Sequence, residues 1–151
     1  DKDRKLVDRG RSDTTLMARH MIDKGLLPDQ IICSTATRAV TTCELLQETL
    51  GRQIDVEYED ELYLAEAAKL MAFAKGAPET GNNMLVIAHN PGMASLAFAM
   101  AAQNGGMPAK LSDFPTAALA CFIFDCKYWT DLDPTTAKLT HFSTPKELKD
   151  T

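Results

Sequence analysis

The chain has 151 residues, 45% of them hydrophobic and 25% charged, enough for one globular domain with a real core. A formal net charge of −5 and a pI near 5.1 argue against a nucleic-acid footprint, and basic residues are scattered apart from "DKDRK" and "DRGR" near the start. No apolar run approaches a membrane span and no signal peptide is recognisable, although the chain opens at Asp1 without Met, so the expectation is a cytoplasmic protein.

Helix-like and strand-like periods alternate along the chain, which argues for α/β layers around one sheet. "SDTTLMARHMIDKG" predicts a helix with Ser12 or Asp13 near its N-cap and Gly25 closing it. "QIICS" is a short buried strand, and "TATRAVTTCELLQETLG" an amphipathic helix stopped by Gly51. "QIDVEYE" is β-like and "DELYLAEAAKLMAFAKG" helical. Met84 to Ala88 predicts a strand, followed by a small-residue helix ending near "NGG". "AALACFIFD" and "AKLTHFS" complete the strands, with "TPKELKD" as a terminal turn or short helix.

The four cysteines, Cys33, Cys43, Cys121 and Cys126, form no CxxC pair and have no histidine at zinc-finger spacing. Buried, reduced thiols are the expectation. No carboxylate cluster looks able to hold a metal, and no cofactor is implied.

In open α/β sheets, ligands collect outside the carboxyl ends of the strands. Two strand ends carry polar groups of the same logic. After "IIC" come Ser34, Thr35 and, in the first helical turns, Arg38; after "LVIA" come His89 and Asn90. Both strands feed into helices, whose first amides are unpaired and whose dipoles favour an anion. A lone arginine in a first turn is usually solvated, and a lone histidine at a strand end usually structural. Their joint placement points instead to a phosphate pocket. His20, in "ARHM", lies mid-helix and reads as partly exposed, while His141 on a late strand is either surface or core.

The segments "LVDRGRSDTTLMARHMIDKGLLPDQIICSTATRAVTTCELL", "ELYLA", "VIAHNPGM", "FPTAALACFIF" and "FSTPKEL" together resemble the histidine phosphatase superfamily, and within it the small SixA-type phosphohistidine phosphatases. The likeness runs through the whole chain in order. It implies a three-layer α/β/α fold of phosphoglycerate-mutase type around a mostly parallel mixed sheet. The implied spatial order is Ile54–Tyr58, Ile31–Cys33, Leu85–Ala88, a first central strand, Leu119–Phe124 and Lys138–Phe142, with Leu119–Phe124 antiparallel to its neighbours.

The family's Ser-x-x-x-Arg-Ala-x-x-Thr segment maps onto Ser34, Arg38, Ala39 and Thr42, which implies phosphate binding by Arg38. Its His-Asn-Pro-Gly segment maps onto His89, implying support of the transferring phosphate, with Asn90 and Ser34 beside it. Thr116 is a further candidate to line the pocket, or a capping residue. Asp60 and Glu61 in "YEDELY" are the candidate general acids.

The chain departs from the family in one respect. The nucleophilic histidine sits in an N-terminal Arg-His-Gly/Ala motif ending the first strand, upstream of a loop resembling "DKDRKLVDRG", and no Arg-His-Gly occurs here. The resemblance therefore implies a single domain over 1–151 that is N-terminally incomplete, its nucleophile and first central strand preceding Asp1. The implied activity is removal of phosphoryl groups from phosphohistidine on a protein, by a metal-free route. A phosphatase for small phosphate esters and a non-catalytic phosphate-binding module are the alternatives. The implied partner is a phosphorylated protein, with neither nucleic acid nor membrane.

Overall fold

The computed structural model describes residues 1–103, 111 and 114–150. The predicted alternation of helices and strands is present, with its boundaries adjusted. The first helix, α1, spans Asp8–Lys24 and starts well before the expected cap, with Val7 at the N-cap. Ser12 and Asp13 are interior residues whose side chains are engaged elsewhere: Ser12 Oγ donates to the Arg9 carbonyl (3.1 Å), and the buried Asp13 carboxylate pairs with Lys149 (2.7 Å). Gly25 ends the helix as expected, at φ 69° in the left-handed region that glycine enters without penalty.

Strand β1, Gln30–Ser34, is buried along its whole length and leads into α2, Thr37–Leu50. Strand β2 covers Asp55–Glu59. The helix expected over residues 60–76 is instead a short 3-10 turn, Asp60–Leu62, and then α3, Ala67–Lys75. Leu64, at φ 54°, breaks the run between them, a backbone choice that residue periodicity cannot reveal. Strand β3, Met84–Ile87, precedes α4, Gly92–Ala102; the expected helix end near "NGG" lies outside the described residues. Strands β4, Leu119–Ile123, and β5, Lys138–Ser143, follow, then the short α5, Pro145–Lys149.

The sheet order is β2-β1-β3, all parallel, with Ile32 facing Glu57 on one side and Val86 on the other. Strands β4 and β5 pair antiparallel in a second, two-stranded sheet. Successive residues of a strand point to opposite faces, and β1 uses this on both sides. Ile31 and Cys33 pack with Met17, Ala18 and Met21 of α1 and Ala39, Cys43 and Leu46 of α2. Ile32 packs the other way, with Leu62, Ala65 and Leu70. Helices therefore cover both faces of the parallel strands, giving the expected α/β/α layering. Of the four thiols, Cys33 and Cys43 are buried, Cys121 is half-buried and Cys126 is exposed, so burial holds for only some of them.

Candidate functional site at the strand ends

The carboxyl ends of β1 and β3 stand side by side, because Cys33 pairs with Ile87 in the parallel register. One residue beyond β1's Cys33 is Ser34, and two beyond Ile87 is His89. The register brings these together: His89 Nε2 lies 2.9 Å from Ser34 Oγ. Ser34 is fully buried and also accepts a hydrogen bond from the Ala36 amide (3.2 Å). His89 is itself buried, at 8% exposure.

Burial holds the His89 pKa below its ordinary value, and the positive charge of Arg38 lowers it further. The ring is therefore neutral near pH 7. Arg38 leaves the first turn of α2 toward the same wall. Its guanidinium carbon sits 6.0 Å from the centre of the Tyr63 ring, and Tyr63 meets His89 edge-on at 5.2 Å. Tyr63 thus stands between Arg38 and His89. Sequence reasoning passed over it, although it lies in the quoted "ELYLA" segment; its signal was only a ring beside a strand end.

The opening residues close the rim. Arg38 Nη1 donates to the Asp1 carbonyl (3.1 Å), Nη2 lies 3.7 Å from Asp1 Oδ2, and the Tyr63 hydroxyl donates to the same Oδ2 (2.8 Å). The Thr37 amide donates to the Lys2 carbonyl (3.0 Å).

Helix amides contribute less than the sequence implied. Those of Ala36 and Thr37 at the start of α2, and of Met93 and Ala94 in α4, already have protein acceptors. Asn90 is likewise committed: its Nδ2 donates to the Phe114 carbonyl (2.8 Å) and its Oδ1 accepts from the Ala94 amide (3.1 Å). It caps α4 and ties that helix to the segment before β4. Thr116 is exposed in the turn that follows Phe114.

The carboxylates lie at the rim. Asp60 accepts from Thr35 Oγ1 (2.5 Å) and from Lys2 Nζ (3.3 Å). These two hydrogen bonds hold its pKa below the usual carboxylate range, so it carries no proton at neutral pH. Glu61 is exposed and faces Lys69 at 3.5 Å. Among the described residues, no group of three or more His, Cys, Asp or Glu side chains could hold a metal. No described helix is long and apolar enough to cross a membrane.

The chain has a three-layer α/β fold with an arginine and a buried histidine at its strand ends, and solved structures similar to it share that fold. It overlays a candidate phosphohistidine phosphatase SixA from Nakamurella multipartitia with a TM-score of 0.81, at 26% identity, covering 96% of this chain and 87% of that one. A second candidate SixA, from Agrobacterium tumefaciens, gives a TM-score of 0.79 at 28% identity, covering 96% and 86%. The protein histidine phosphatase SixA complexed with tungstate shares the fold at a TM-score of 0.78 and 22% identity, covering 98% and 88%. The chain therefore has the phosphoglycerate-mutase-like fold of the SixA branch of the histidine phosphatase superfamily.

The chain is also similar over nearly its whole length to uncharacterized mycobacterial proteins. The uncharacterized protein Rv1276c of Mycobacterium tuberculosis is 29% identical over 150 residues, covering 97% of this chain and 92% of its own length. The uncharacterized protein ML1117 of Mycobacterium leprae is 26% identical over 152 residues, covering 97% and 89%. No protein-family model matches the chain.

Proposed function

We propose that this protein is a phosphatase that removes phosphoryl groups from phosphohistidine on a partner protein. In this reading Arg38 binds phosphoryl oxygens, and His89 stabilises the charge that develops on them during transfer. The observation that carries it is the convergence of Arg38, Tyr63 and the Ser34-anchored His89 on one wall at the carboxyl ends of β1 and β3. The SixA likeness supports the same reading.

Phosphoryl transfer asks little covalent chemistry of a protein beyond a nucleophile, so positioning and charge stabilisation supply most of the barrier reduction. The phosphorus–nitrogen bond of the substrate breaks as a bond forms to an enzyme histidine. Water then cleaves that bond and releases inorganic phosphate. His20 and His141 hydrogen-bond to each other, one on α1 and the other on β5. In this reading the nucleophile belongs to an Arg-His-Gly/Ala motif, which neither of these histidines forms.

The leaving group favours phosphohistidine over esters. Expelling an alkoxide, whose conjugate acid has a pKa on the order of 15, demands a strong general acid. Imidazole leaves readily, since its protonated form has a pKa of about 6.5. Asp60 is held deprotonated by hydrogen bonds from Thr35 and Lys2, so it is not poised as that acid, and Glu61 is exposed beside Lys69.

The test compares hydrolysis of a phosphohistidine protein with that of a panel of small phosphomonoesters, using the full-length gene product. A preference for the phosphohistidine protein is expected, with Arg38→Ala losing most phosphate affinity and His89→Ala losing turnover more than binding. Preference for the esters, or phosphate binding without turnover, would overturn the proposal.

A further inference from the structure

Two cysteines of the main core, Cys33 on β1 and Cys43 on α2, meet side chain to side chain. Cys33 Sγ lies 3.2 Å from the Ser34 carbonyl and 3.5 Å from the Ala39 carbonyl. Ala39 is one helical turn before Cys43, and helical side chains lean back over the turn N-terminal to their own Cα. The Cys43 side chain therefore lies over the turn that Cys33 touches.

The two sulfurs have opposite surroundings. Carbonyl oxygens only accept, so Cys33 is the S–H donor of the pair. Cys43 Sγ instead faces two donors, Gln47 Nε2 at 3.6 Å and the Tyr58 hydroxyl at 3.9 Å. The Gln47 amide is fixed in that sense, because its Oε1 accepts from the Ile54 amide (2.8 Å). A core thiol packs as a small hydrophobe and needs no such donors. Donors around a sulfur favour its thiolate, the form that reacts with oxidants. The hydrogen bond from Cys33 draws the Cys43 pKa down against the effect of burial, and those from Tyr58 and Gln47 add to it. The same contact with Cys43, together with burial, pushes Cys33 up.

We infer that Cys33 and Cys43 form an oxidisable dithiol, which hydrogen peroxide converts to a disulfide joining β1 to α2. The Cys43 thiolate attacks one peroxide oxygen, the O–O bond breaks, and the leaving hydroxide takes up a proton as water. Cys43 is left as a sulfenic acid. The Cys33 sulfur then attacks it, the S–O bond breaks, and the hydroxyl leaves with the Cys33 proton as a second water. Two thiols are oxidised and one peroxide is reduced. Both sulfurs are fully buried, and the cover over Cys43 is Tyr58, which is 43% exposed on the edge strand β2. Peroxide enters when that ring swings out, a local opening rather than unfolding. The bond links the strand that ends in Ser34 to the helix that carries Arg38.

The experiment treats the purified chain with hydrogen peroxide, alkylates the remaining thiols under denaturing conditions and maps tryptic peptides by mass spectrometry. Cleavage after Lys24, Arg38 and Arg52 puts the two cysteines on separate peptides, 25–38 and 39–52. The two should appear linked, two hydrogens lighter than their sum, and a dithiol reductant should release them. Cys126→Ser, which removes the exposed thiol, should form the same link in the same yield. Tyr58→Phe keeps the ring but loses the hydroxyl donor, and should slow the linkage by about 2-fold or more. Three results would each overturn the assignment. They are Cys33 and Cys43 both recovered alkylated at a peroxide dose that oxidises Cys126, Cys43 carried on to sulfinic acid with no linked peptide, and a rate unchanged in Tyr58→Phe. The peptide map of the unaltered chain decides the linkage whether or not a variant folds.

Discussion

Arg38 holds Asp1 twice, through its carbonyl at 3.1 Å and its carboxylate at 3.7 Å. A carboxylate oxygen, also hydrogen-bonded by Tyr63, thus occupies the fork that the proposed function assigns to phosphate. An incoming anion must displace it. The Asp1 side chain is 57% exposed, so solvent screens the pair and limits it to about 0.2–1 kcal/mol. Asp1→Asn is expected to tighten binding of inorganic phosphate by roughly 1.5- to 5-fold, read by calorimetry. Weaker binding in that variant would mean Asp1 organises the arginine rather than competing for it.

His89 sets a pH dependence whose sign follows from its lowered pKa, caused first by burial and then by Arg38. In the unfolded chain the ring takes a proton near its ordinary value of about 6.5. In the folded protein it does so only at lower pH. The unfolded state therefore binds more protons in that window, and stability falls as pH drops from about 6.5 toward the folded pKa. A ring-proton NMR titration should place the His89 midpoint below that of a free histidine. Arg38→Ala and added phosphate should each move it upward, because one removes a positive neighbour and the other supplies a negative one. A midpoint above 6.5 in phosphate-free buffer would contradict the buried, arginine-facing placement.

Gly92, the first residue of α4, makes the backbone approach that lets β3's helix start beside the Tyr63 loop. A Cβ there would lie 1.9 Å from the Ala65 carbonyl oxygen, a main-chain atom that cannot swing aside. Gly92→Ala is expected to cost about 1–3 kcal/mol by overpacking. That corresponds to a fall of roughly 2–12 °C in melting temperature for a domain of this size. An unchanged melting temperature would show that the Ala65 loop yields freely.

Asn90 gives a prediction that separates scaffold from site. Its side chain caps α4 at the Ala94 amide and holds the Phe114 carbonyl. Asn90→Ala is expected to lose about 1–3 kcal/mol of stability, one part from the cap and one from the lost tie. Phosphate affinity, measured well below the melting transition, should change little. Loss of affinity with unchanged stability would return Asn90 to the binding role that its neighbour His89 made attractive in the sequence.

Much of this protein was legible before folding because local chemistry repeats with the period of its element. The apolar Ile31–Cys33 run of β1, the glycines closing α1 and α2, and the polar residues at the ends of β1 and β3 are properties of neighbouring residues, and the order of motifs carried the SixA likeness. Parallel pairing of two such strands was then enough to bring Ser34 and His89 together. The tertiary structure alone decided the rest, because each case turns on partners distant in sequence. Helix α1 begins at Asp8, and Asp13 lies inside it, paired with Lys149 from the far end of the chain. Tyr63 becomes the wall between Arg38 and His89 because Leu64 turns the chain after the 3-10 turn. His20 reads as an ordinary helix residue until β5 sets His141 against it, 121 positions away. Side-chain function of that kind has no local periodicity, so only the packed chain reveals it.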